Sequence, residues 1–105
     1  MNSHENPQVN RLVEMRKTLR QEMNRLREVY SVTSLEIFGS FVRGEASADS
    51  DLDILVEFDT TPTLFSFVRL ENELSQVLGV KVDLVMKDSL KPALGAHILA
   101  EAIPV

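Results

Sequence analysis

Over the first third of the chain, apolar side chains recur at alternating steps of three and four: Leu12, Met15, Leu19, Met23, Leu26 and Tyr30. That spacing keeps one stripe of a helix turned toward a core, so a long first helix is predicted. Ser34 to Phe38 is short, apolar and contains Ile37, and it stops at Gly39, which reads as a buried strand ended by a turn residue. A brief helix is expected from Ser40 to about Gly44. After a small polar loop, Glu45 to Ser50, the segment Asp51 to Phe58 alternates: Leu52, Ile54, Val56 and Phe58 on one face, Asp51, Asp53, Leu55 and Glu57 on the other. Pro62 then opens a helical stretch carrying Leu64, Phe67, Val68, Leu74, Val77 and Leu78, closed by Gly79 as a left-handed cap. Lys81 to Met86 alternates again, with Asp83 and Val85 opposite Val82, Leu84 and Met86. Pro92 to Ala102 reads as a last helix with Leu94, Ile98 and Ala102 on one stripe, weakened by Gly95.

The chain has 105 residues, 44% of them hydrophobic, enough for one core and hence a single domain over residues 1–105. It has no cysteine, which rules out disulfides and Cys-based zinc sites and suits a reducing cytoplasm. No apolar run reaches the length of a signal core or a membrane span, so no membrane association is expected. A formal charge of -5 argues against affinity built on neutralising a nucleic-acid backbone. The charge is nonetheless segregated. Arg11, Arg16, Lys17, Arg20, Arg25 and Arg27 cluster in the first helix, where a solvated face is the plainest reading, and Glu45, Asp49, Asp51, Asp53, Glu57 and Asp59 crowd the middle.

Three features carry candidate chemistry. The turn Gly39-Ser40, between a strand and a short helix, offers backbone N–H groups and a hydroxyl to phosphate oxygens, although a plain turn with an N-cap has the same sequence. Asp51 and Asp53 sit two apart on a strand, so they share a face with α-carbons roughly 6 to 7 Å apart and can converge on a hard cation. A wet strand start is the alternative, but strands avoid Asp, and two side by side ask for a reason. Asp83 stands among Val80, Val82, Leu84 and Val85, where a charge is costly unless paired, coordinated, or on an edge strand with one face in water. If the first two strands are antiparallel and the second and third parallel across a helical crossover, all five residues gather at one end of the sheet. The expected fold is therefore α/β: a small mixed three-stranded sheet with helices packed mainly on one face, leaving the other for the site.

Gly39-Ser40-x-x-Arg43-Gly44, followed by Ser50-Asp51-x-Asp53 and later by Asp83, resembles the signature of the DNA polymerase β type nucleotidyltransferase superfamily. More narrowly, the chain is similar to the minimal nucleotidyltransferase (MNT) antitoxins of HEPN/MNT toxin–antitoxin systems. The resemblance implies that Gly39 and Ser40 hold a triphosphate and that Asp51 and Asp53 bind two magnesium ions. It further implies that Asp83 completes one metal site and helps deprotonate the attacking hydroxyl, with ATP as substrate and a HEPN toxin as partner in a hetero-oligomer. The logic agrees with the chemistry of magnesium, which takes carboxylates and substrate phosphates and clamps both oxygens of an in-line displacement. Arg43 matches the motif with two roles open, a phosphate contact or a pair with Glu45 or Asp49.

His4 and His97 are the only histidines and stand outside this constellation. Tyr30 and Phe38 flank the site in sequence as core residues or, alternatively, as surfaces for stacking on a base. Two function classes remain, an enzyme that adenylylates a protein partner and a binding module that neutralises a HEPN ribonuclease by occlusion. Transfer to a small molecule is a third reading, disfavoured because no part of this chain is left over to hold the acceptor.

Overall fold

The computed structural model describes residues 7–105, so His4 lies outside the described residues. Along the chain run α1 (Pro7–Tyr30), β1 (Val32–Phe38), α2 (Ser40–Arg43), β2 (Leu52–Phe58), α3 (Leu64–Leu78), β3 (Val82–Met86), a 3-10 turn (Lys87–Ser89), α4 (Pro92–Glu101) and β4 (Ile103–Pro104). The sheet order is β3-β2-β1-β4, with β1 antiparallel to β2 and to β4, and β2 parallel to β3. The sheet thus has four strands where the sequence pattern predicts three. The fourth is two residues long and ends in Pro104, too short for alternation to register and confined to an edge because proline has no N–H to give a second neighbour.

All six positions of the predicted α1 stripe pack into the core. They meet Leu70 and Leu74 of α3 and, from the strands, Val32, Leu35, Ile37, Leu52, Ile54, Val56, Val82 and Leu84. The opposite face of the sheet holds Asp53, Asp83, Leu55 and Phe38, of which Leu55 and Phe38 are buried. Farther along that face, Lys87 Nζ lies 3.1 Å from Glu36 and 3.5 Å from Glu57.

One predicted boundary and one predicted face change for local reasons. Helix α3 begins at Leu64 because the Thr63 hydroxyl accepts the Ser66 N–H at 3.1 Å, a side-chain cap that places Pro62 before the helix. In α4 the predicted stripe holds only in part: Ile98 and Ala102 are partly buried, but Leu94 is 62% exposed and Gly95 takes the buried position. A Cβ there would stand 3.1 Å from Leu90 Cβ, so the glycine that weakens the helix is what lets it lie close to the preceding loop.

β3 is an edge strand, yet the N–H groups of Val82 and Leu84 are occupied. Val82 donates to Ser75 Oγ and Leu84 to Glu71 Oε2, both at 2.9 Å, so side chains of α3 take the place of a neighbouring strand. The basic face of α1 is likewise engaged. Arg16 and Arg20 donate to the carbonyls of Pro104 and Val105 at 2.7 and 2.9 Å, Arg25 pairs with Glu22 and Glu73, and Arg11 lies 5.1 Å from the Phe41 ring centroid. The reading of a merely solvated face therefore gives way to one in which α1 holds the C-terminal segment against β1. Among the described residues, no helix is long and apolar enough to cross a membrane.

Candidate active site

The strand registers bring the predicted residues together. Phe38, the last residue of β1, pairs with Asp53, and Asp53 pairs in turn with Asp83 on the parallel neighbour. In-register neighbours on adjacent strands are about 5 Å apart and point to the same face. Asp51 lies just before β2, two residues from Asp53, with its Oδ2 3.9 Å from Lys81 Nζ in a loose, exposed pair. Asp83 is exposed on the edge strand, so of the readings the sequence left open, the one with a face in water describes its setting.

Gly39 explains how the turn meets the carboxylates. Stepping off β1 beyond Phe38, it adopts φ 83° and ψ -154°, a conformation nearly confined to glycine. A Cβ on it would collide with Asp53 Oδ2 and stand 3.0 Å from Asp53 Cγ. The backbone therefore crosses directly over the Asp53 carboxylate, with Ser40 opening α2 beside it.

Burial first, and then the charges of Asp83 and Asp51, push the Asp53 carboxyl up to about 6, against a smaller opposing pull from Arg43. The three aspartates thus repel one another through Asp53, as expected of groups arranged to share positive charge. Among the described residues, no three His, Cys, Asp or Glu side chains are drawn into a closed metal cluster. Magnesium does not require one, since it is commonly bound by one or two carboxylates completed by phosphate oxygens and water. The donor set, all carboxylate oxygen around a carboxyl whose proton affinity its neighbours raise, fits such a hard cation.

The sequence pattern gave no sign of Glu101. The Gly39 N–H donates to its Oε2 at 2.6 Å, and Arg43 Nη1 donates to its two carboxylate oxygens at 3.0 and 2.9 Å. Arg43 Nε also reaches Glu45 at 2.8 Å, the pairing that the sequence left open for this residue. Burial raises the Glu101 carboxyl, but the Gly39 N–H and Arg43 outweigh it and hold the group below the usual carboxylate range. The one available clue was that Glu101 is the only Asp, Glu, Lys or Arg between Pro92 and Val105.

Tyr30 sits at the far end of β1 from this site. Its hydroxyl bonds Glu73 and its ring lies in the core, and Phe38 is buried too. His97 is exposed on α4. A surface concavity of about 390 Å³, lined by Phe65, Val68, Arg69, Asn72, Glu73 and Gln76 of α3, includes none of the aspartates.

The nucleotidyltransferase domain family matches residues 16–104. The protein adenylyltransferase MntA of Thermococcus cleftensis is 46% identical over 94 residues, covering 90% of this chain and 95% of that one. A solved structure described as a minimal nucleotidyltransferase superimposes with a TM-score of 0.71 at 36% identity, over 99% of this chain and 100% of the other. An MNT antitoxin solved with a tri-AMPylated Shewanella oneidensis HEPN toxin shares the fold, with a TM-score of 0.62 at 21% identity over 86% of this chain and 70% of that one. With the Gly39-Ser40 turn lying across a row of aspartates and relatives matching almost end to end, this chain belongs to the nucleotidyltransferase domain family.

Proposed function

We propose that the chain is a magnesium-dependent protein adenylyltransferase that moves AMP from ATP to a side-chain hydroxyl of a HEPN-family toxin and so acts as its antitoxin. In this reading, Gly39 and Ser40 seat the triphosphate and Arg43 contacts its oxygens. Asp51 and Asp53, completed by Asp83, hold up to two Mg²⁺ ions, which when bound neutralise the charge of the reacting phosphates. Asp83 takes the proton of the acceptor hydroxyl as that oxygen bonds to the α-phosphorus. The bond from the α-phosphorus to the bridging oxygen breaks, and pyrophosphate leaves. The work of the chain is positioning and electrostatics, with no covalent enzyme intermediate.

One observation carries the reading: β3 sets Asp83 beside Asp53 while the pairing of Phe38 with Asp53 brings the Gly39 backbone across the same carboxylate, so the candidate phosphate donor and the candidate metal ligands meet at one place. The close relative named as a protein adenylyltransferase supports AMP as the group moved, and the more distant toxin complex supports a HEPN partner. The acidic rim of Glu45, Asp49 and Asp51 would face a basic surface of that partner.

The test is co-expression of the partner with the wild type and with an Asp51→Asn, Asp53→Asn double variant, followed by intact mass spectrometry and a ribonuclease assay. Addition of one or more AMP masses and loss of ribonuclease activity with the wild type alone is the expected result. Equal neutralisation by the double variant without added mass would replace transfer by occlusion.

A further inference from the structure

The donors assigned above to phosphate are already in use. The Gly39 N–H and the Arg43 guanidinium converge on one carboxylate, that of Glu101, through three contacts of 2.6 to 3.0 Å. A carboxylate held by a backbone N–H at a turn and by a guanidinium sits where a phosphate with the same two donors would sit. The placement is built into the fold. Only Ala102 separates Glu101 from β4, where Ile103 and Pro104 pair with Ile37 and Glu36, and the Val105 N–H donates to the Leu35 carbonyl at 3.0 Å. Arg16 and Arg20 hold the last two carbonyls from the other side. Glu101 is thus anchored by its backbone while its side chain can swing about its own bonds.

We propose that Glu101 is an internal occupant of the phosphate seat, a carboxylate that closes the site until a nucleoside triphosphate displaces it. This rests on the assignment of Gly39 and Arg43 to the triphosphate. The consequence is a self-imposed loss of affinity, because only the fraction of molecules with Glu101 swung away can accept phosphate. It also keeps Gly39 and Arg43 satisfied between turnovers, and weak anions must compete with a tethered one.

The experiment compares binding of ATP with Mg²⁺, of inorganic tripolyphosphate and of adenosine to the wild type, Glu101→Gln and Glu101→Ala by titration calorimetry. Glutamine keeps an acceptor for the Gly39 N–H but removes the charge. The expected result is about tenfold tighter binding of ATP and tripolyphosphate by Glu101→Gln, at least as much by Glu101→Ala, and no change for adenosine. Unchanged or weaker phosphate binding overturns the proposal.

Should the variants fail to fold, the wild type answers alone. On titration with ATP, the NMR signal of the Glu101 side-chain carboxyl carbon must shift in step with the Gly39 amide. A Gly39 amide that saturates while the Glu101 signal stays fixed overturns the proposal as well.

The two readings fail separately. Tighter tripolyphosphate binding by Glu101→Gln with no AMP transfer by the wild type sinks the enzymatic assignment alone. Aspartate-dependent transfer with unaltered affinity in Glu101→Gln sinks this one alone, and no binding of either phosphate probe to any form overturns both.

Discussion

Replacing Asp53 by Asn is expected to make the metal-free protein more stable while ending its activity. In the folded chain the Asp53 carboxyl is pushed from 3.8 to about 6, by burial and then by Asp83 and Asp51. An acid whose proton is held more tightly in the native state favours folding at low pH, and this advantage is lost as pH rises from about 4 through 6. At about 1.4 kcal/mol per pH unit, the charged form would cost about 3 kcal/mol at neutral pH. Asp53 is only part-buried, so screening by water reduces this to about 1 to 2 kcal/mol. Asparagine has the same shape and no charge to desolvate.

The assay is urea unfolding in EDTA at pH 4, 5, 6 and 7.5. Asp53→Asn should exceed the wild type by about 1 to 2 kcal/mol at pH 7.5 and converge with it near pH 4, with a melting temperature higher by roughly 5 to 10 °C at the upper pH. Added Mg²⁺ and ATP should stabilise the wild type by mass action and leave the variant unmoved. A variant less stable than the wild type at pH 7.5, or a difference that does not change with pH, would refute the reasoning and make Asp53 a structural residue.

Gly39→Ala forces a Cβ into Asp53 in a backbone conformation that alone costs roughly 1 to 3 kcal/mol, so both stability and ATP binding should fall, as chemical unfolding and calorimetry would record. Tyr30→Phe removes a buried hydroxyl bonded to Glu73 and should cost about 1 to 2 kcal/mol in urea unfolding without altering ATP affinity. Burial, then Glu73, raise the same phenol to about 12; its stabilising share is complete below pH 10 and lost as pH climbs through 12, so phenolate absorbance should rise together with alkaline unfolding. Leu19→Ala, at a fully buried position of α1, should cost about 2 to 5 kcal/mol by denaturant titration, and a cost under 1 kcal/mol would mean that α1 is not seated as described.

The periodic elements were legible because burial imposes period: the α1 stripe and the alternation of β2 both follow from which side chains meet the core. The aspartate row was legible for the opposite reason, being polar where strands are apolar. What escaped was set by contacts distant in sequence. Glu101 meets Gly39 across 62 positions, and β4 exists only because β1 offers it a free edge. The exposed Leu94 misled because ten residues of mostly apolar helix carry little polar contrast to say which side faces in. Gly95 looked like a defect because a close approach leaves no mark in periodicity.

The way α3 covers the outer edge of β3 bears on how this chain can be joined to another. With Ser75 and Glu71 bonded to Val82 and Leu84, a foreign strand finds those N–H groups taken, and at the far margin β4 presents two residues, one of them proline. Both borders of the sheet are thereby unsuited to lateral growth, which protects a crowded, newly made chain from polymerising through its backbone. Leu64 and Phe65, 78% and 88% exposed on α3, are side-chain surface that takes no part in the sheet's hydrogen bonding. Such side-chain surface can diverge between relatives without disturbing the sheet, so the exterior is free to change while the aspartate row stays where it is.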